Sequence, residues 1–154
     1  MIELLAAGTR GPAWIEEGVA EYARRLPKDW RLSVKEIPVA KRTKGAVLER
    51  LKQEEGQRML SSIRPGARVI AMDSGGALWS TETLAGKFDS WAHEYRDIQL
   101  MIGGPDGLSA ECLKRADDVW SLSKLTFPHF MVRLLLAEQV YRAWAILNGH
   151  PYHK

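Results

Sequence analysis

Five short β-type runs recur along this chain with helical patterns between them, and that alternation confines the fold to an α/β architecture built on a mostly parallel sheet. The runs are IELLAAG at 2–8, LSVKEIP at 32–38, RVIAMD at 68–73, DIQLMI at 97–102 and VWSL at 119–122. Ile15, Val19, Tyr22 and Leu26 then mark one helix face, with Pro12 in the opening turn. Ser80 is placed to cap another helix, where Trp79 and Leu84 form a hydrophobic staple and Phe88, Trp91 and Tyr95 continue the stripe. Sheets of this kind are covered by helices on both faces and bind ligands beyond the carboxyl ends of their strands. The loops that follow strands are therefore where function is to be sought.

The length, 154 residues, suits a single domain spanning 1–154, and no repeat or low-complexity tract argues for a second. Cys112 is alone, which excludes an intramolecular disulfide framework and predicts a buried, inert thiol in a reducing compartment. Glu3 stands where a signal peptide would carry cations, and no apolar run approaches a membrane span, so a cytoplasmic protein without membrane contact is expected. A net charge of +3 excludes little. Cations do cluster in the first third, where Lys41, Arg42 and Lys44 are the densest group and could meet phosphates or simply be solvated.

Two loops have the composition of a binding site. The fourth run enters Gly103-Gly104-Pro105-Asp106-Gly107, in which paired glycines permit either a tight turn before the next helix or close approach of backbone to a ligand. After the fifth run, SLSKLTFPH at 121–129 mixes hydroxyls with apolar side chains, as a pocket for an adenine would and as a buried loop would. The last helix, about 129–148, is apolar nearly all round, and burying such a helix in so small a domain calls for a second subunit. Four of its polar residues fall in two pairs one turn apart, His129 with Arg133 and Glu138 with Arg142. His150 and His153 follow in the tail, but no complementary ligand set accompanies them, and no metal site is expected.

The segments LLAAGTR, IGGPDGLS, WSLSKLTFPHFMVRLLLAEQVYRAW and NGHPYHK together resemble the RNA methyltransferase H family, small SPOUT-superfamily enzymes that methylate N3 of a pseudouridine in bacterial 23S ribosomal RNA. The resemblance covers essentially the whole chain. It implies a trefoil-knot α/β fold, a homodimer with sites at the interface, and S-adenosyl-L-methionine as cofactor. It assigns cofactor contacts to Met72, Gly103, Gly104, Leu122, Ser123, Lys124, Leu125, Thr126 and Phe127. It assigns a composite catalytic site to His129, Glu138, Arg142, Tyr152 and His153, with the tail supplied by the partner and Lys154 able to meet a phosphate. The expected substrate is large-subunit rRNA within the assembled ribosome. His129 and His153 are the candidate proton acceptors, because an imidazole titrates near working pH. The contrasting expectation is a ribosome-binding factor that uses the same basic surface without chemistry.

Overall fold

The computed structural model describes residues 1–153. Lys154 and the phosphate contact expected of it lie outside the described residues. Five strands form one parallel sheet: β1 (Ile2–Ala7), β2 (Leu32–Ile37), β3 (Arg68–Leu78), β4 (Ile98–Ile102) and β5 (Asp118–Ser121), in the order β2-β1-β4-β3-β5. The helices are α1 (Ala13–Arg25), α2 (Leu48–Ser61), α3 (Thr81–Glu94), α4 (Ala110–Arg115) and α5 (His129–Leu147).

Side chains along each strand alternate between two cores. Ile2, Leu4 and Ala6 of β1, with Ile98, Leu100 and Ile102 of β4, meet α1, α3 and α5. Leu5, Ala7, Ile37, Val69, Ala71 and Met101 face the opposite way, toward Met59 of α2 and Cys112 of α4. All of β1 and β4 is buried, which is why these runs read as apolar but for one residue each. Glu3 and Gln99 are polar residues in these strands. They are satisfied near the amino ends: Gln99 donates to Glu3 at 2.9 Å and accepts from the Arg64 backbone N–H at 2.8 Å, while Arg64 pairs with Glu3 at 3.2 Å.

Several sequence expectations hold in detail. Ser80 accepts from the Thr83 N–H at 3.0 Å, capping α3. Trp79 packs against the core that holds Leu84, and it also stacks on Trp120, which was not expected, with ring centroids 5.3 Å apart. The Cys112 thiol is fully buried, and that burial pushes its pKa up. The third strand departs from expectation, because it continues to Leu78 instead of stopping at 73. Met72 and Ala77 both pair with Trp120, so the intervening residues bulge out of register. A Cβ on Gly76 would stand 2.7 Å from the Trp120 backbone, so only glycine permits the return.

Helix α5 packs between α1 and α3 over β4. Leu136, Ala137, Val140, Ala143 and Ala145 are buried, whereas Met131, Leu134, Leu135 and Ile146 are only half-buried and Leu147 is exposed. The expectation that this helix has no wet face is therefore met on one side only within a single chain. Replacing Phe88, fully buried and edge-on to Trp91 at 5.3 Å, with alanine is expected to cost about 3–5 kcal/mol of unfolding free energy. Chemical denaturation checks this; a loss under 1 kcal/mol would mean that the site collapses around the change.

Candidate active site

Strand ends bring the two sequence-selected loops together. Met72 at the end of regular pairing in β3, Gly103 and Gly104 after β4, and Leu122 to Phe127 after β5 line one cavity of about 340 Å³. Residues 122–128 carry the chain from the edge strand back past the ends of β3 and β4 to α5, and His129, the first residue of that helix, reaches the same cavity. Pro105 of the glycine loop also lines it, as do Asp73, Ser74 and Val132, which are not among the candidate site residues of the sequence. The signal for Asp73 and Ser74 was the glycine pair of MDSGG, directly after a strand as in the fourth run. Apolar walls with a minority of polar groups, at this volume, suit a nucleoside-sized ligand.

Local chemistry shapes the cradle. A Cβ on Gly103 would lie 2.5 Å from the Gly107 carbonyl carbon and 2.7 Å from the Leu108 nitrogen. Gly103 is thus glycine because the loop folds back on itself, which is the tight-turn alternative. The Gly107 N–H donates to Gly104 O at 3.0 Å, and Gly107 has φ +79°. Two hydroxyls of the other loop are engaged internally: Ser121 donates to Ser123 O at 2.9 Å, and Ser123 Oγ accepts from the Leu125 N–H at 3.0 Å. Lys124, Leu125 and Thr126 remain exposed, Leu125 by 72%.

His129 is half-buried, with its ring 4.1 Å from that of Phe130. Burial, reinforced by the nearby Arg133 charge, lowers its pKa below the ordinary 6.5. Arg133 is 4% exposed, and its Nη2 donates to Ala7 O at 3.3 Å and Gly8 O at 3.4 Å while Nη1 lies 3.8 Å from Glu36. It fastens the start of α5 to the ends of β1 and β2.

The other expected catalytic residues assemble elsewhere. Arg142 Nε donates to Glu138 Oε1 at 2.8 Å, and Tyr152 donates to the same oxygen at 3.1 Å. The Tyr152 hydroxyl also lies 3.2 Å from that of Tyr22, and Arg142 sits 4.9 Å over the Tyr152 ring. Burial, then the Tyr22 hydrogen bond and the Glu138 charge, raise the phenol's pKa, so it remains a donor. His153 bridges Arg142 Nη1 at 3.2 Å and Glu82 at 3.3 Å. The tail is aimed here by a glycine helix stop: Gly149 has φ +63°, its N–H donates to Ile146 O at 3.3 Å, and the His150 N–H donates to Ala145 O at 2.8 Å. Residues 129 and 142 are separated by roughly 20 Å along the helix axis at 1.5 Å per residue. The cradle of one chain thus lies at the amino end of α5, and its tail cluster lies on the middle and carboxyl half of the same helix.

Lys41 and Lys44 are exposed, but Arg42 is committed to Asp106 and Glu55 and is not a free cation. Among the described residues no cluster could hold a metal ion, and no helix is long and apolar enough to cross a membrane.

A family profile described as "Predicted SPOUT methyltransferase" matches residues 1–153. The ribosomal RNA large subunit methyltransferase H of Thioalkalivibrio sulfidiphilus is 53% identical over 153 residues, covering 99% of this chain and 98% of that protein. The protein of the same name from Pseudomonas entomophila is 50% identical, covering 99% of both. Among solved structures, a probable methylase family protein from Haemophilus influenzae superposes with TM-score 0.55 at 14% identity, over 99% of this chain and 69% of that one. A Legionella pneumophila methyltransferase bound to S-adenosylmethionine gives TM-score 0.50 at 11% identity, over 92% and 66%. The last two likenesses concern the fold.

The lowered pKa of His129 has a definite sign. The folded state resists protonation there, so this residue's contribution to stability is lost as pH falls through and below 6.5, where the unfolded chain binds the proton more readily. An NMR titration is expected to show His129 as neutral at pH 7 with a midpoint below 6.5, moving upward in Arg133→Met. A midpoint above 6.5 in the unmodified protein would contradict this account of its surroundings.

Proposed function

The chain belongs to the SPOUT methyltransferase family, and from that premise we propose that it transfers a methyl group from S-adenosyl-L-methionine to N3 of a pseudouridine in 23S rRNA of the large ribosomal subunit. The reading is carried by the convergence of Met72, the glycine loop and residues 122–127 on one cavity, with His129 at its edge. The cradle fits the cofactor: Met72, Ile102, Leu122 and Phe127 offer apolar wall for an adenine, and the loop backbones offer polar groups for its edge. When bound, the sulfonium supplies an electrophilic methyl group.

The chain's own residues do the rest. His129, neutral at pH 7, accepts the proton that leaves N3 as the nitrogen forms its bond to carbon. Negative charge that spreads onto the flanking carbonyl oxygens is met by Arg142, held by Glu138 and by the tail. Because Arg142 and His129 of one chain stand so far apart, the site is composite: the cradle of one subunit is completed by Glu138, Arg142, Tyr152 and His153 of a second copy. The half-buried outer face of α5 and the exposed Trp14 supply apolar surface for that homodimer. The protein works in the cytoplasm on rRNA already within the ribosome, since a domain of this size has little surface with which to select RNA on its own.

Complementation tests both the activity and its composite site. A chain ending at Gly149 and a full-length chain carrying Gly103→Val are each expected to be inactive for methyl transfer to ribosomes. Co-expressed with different tags, they are expected to recover about a quarter of wild-type activity, since half of randomly paired dimers are mixed and each mixed dimer rebuilds one site of two. No recovery in a purified mixed dimer would place the tail within its own subunit, and an inactive wild type would remove the enzymatic reading. Separately, Lys41→Ala with Lys44→Ala is expected to weaken ribosome binding and make the dependence of log affinity on log salt shallower by about two. An unchanged slope would return these lysines to ordinary solvated surface.

A further inference from the structure

The glycine loop carries a single charge, Asp106, between Pro105 and Gly107 of the cradle wall. That carboxylate is taken by Arg42 from the segment that follows β2: Nε donates to Asp106 Oδ2 at 3.2 Å, and Nη2 pairs with the same oxygen. The other arm of the guanidinium, Nη1, donates to Glu55 of α2 at 3.2 Å and lies 3.5 Å from Ala40 O. Glu55 is 5% exposed, and its second oxygen stands 3.8 Å from the point where a Cβ on Gly104 would be. One cation thus joins a buried anchor to a loop of the candidate site.

We propose that Arg42 is a positioning residue for the methyl-donor cradle, not an RNA contact: its fork holds Gly103–Gly107 in the shape that receives S-adenosylmethionine. The inference rests on the reading of the cavity as that cradle. Three glycines in five residues make the loop costly to order. Its own backbone contributes the Gly107-to-Gly104 hydrogen bond, and the ion pair fixes the tip from outside. Arginine is required by geometry, because two carboxylates from different elements are met by different edges of one planar group, which a lysine ammonium cannot reproduce. Asp106 is a quarter exposed, so its pair alone stabilises the fold little, whereas Glu55 without Arg42 would be a buried carboxylate lacking its partner. Asp106 is therefore the informative position, since its replacement leaves the Arg42–Glu55 pair in place.

Calorimetric titration of the RNA-free protein with S-adenosylmethionine tests this, with a thermal melt to establish folding. Asp106→Ala is expected to weaken binding about tenfold, as loss of a charge-assisted contact that orders a loop would, and Asp106→Glu to restore most of it. Arg42→Ala is expected to lose a similar factor where it folds, and the double variant to bind no worse than the weaker single, because both changes break one interaction. Asp106→Ala binding as tightly as wild type would overturn the proposal. So would undiminished cofactor affinity in Arg42→Ala with a salt slope for ribosome binding that falls by about one, the mark of a phosphate contact. A wild-type protein that binds no S-adenosylmethionine would refute the cradle itself, a result visible before any substitution is made.

Discussion

Everything in this molecule depends on a parallel sheet that must be dry on both faces. Parallel pairing requires long crossovers, and the crossover helices cover the sheet, so β1 and β4 have no solvent side. A polar group can enter such strands only with its partners, as Glu3 and Gln99 do near the amino ends, where Arg64 from the segment before β3 meets both. The groups that line the cavity are thereby displaced to the opposite rim, where strands end and backbone is free to turn. The cavity at that rim is a consequence of how the sheet is buried.

The rim is shaped by glycine and held by arginine. Gly76 and Gly103 are sites where two stretches of backbone pass too closely for any side chain. Such loops have little side-chain packing of their own, and the structure braces them with cations reaching in from neighbouring elements. Arg133 ties the start of α5 to the end of β1, and Arg42 ties the glycine loop to α2. Both guanidiniums act on carbonyl or carboxylate oxygens of the protein.

Helix α5 relates the two halves of the proposed chemistry. Its amino end presents His129 to the cavity, and Glu138 and Arg142 further along it collect the returning tail. The helix is nineteen residues long, and its rise of about 1.5 Å per residue keeps the two clusters apart in one chain. Its partly uncovered apolar side is the surface proposed above for a second copy that would bring them together.

The sequence by itself determined what depends on spacing and residue type. Strand and helix order, the Ser80 cap, the buried Cys112 and the turn-forming composition of the loops after the fourth and fifth runs could all be read from it, because each is set by neighbours within a few residues. Family-specific segments added which residues to watch. Only the tertiary structure decided what those residues do to one another. It showed that Gly103 is needed for a backbone fold-back, that β3 runs on past a bulge against Trp120, and that Asp73 and Ser74 border the cavity. It also paired Arg42 with Asp106, 64 positions away, and drew the tail onto Tyr22 and Glu138 instead of the cradle. The physical reason is common to all of these. Contacts between distant segments depend on which strand ends lie side by side and on how far a rigid helix reaches, and neither leaves a periodic trace in the order of residues.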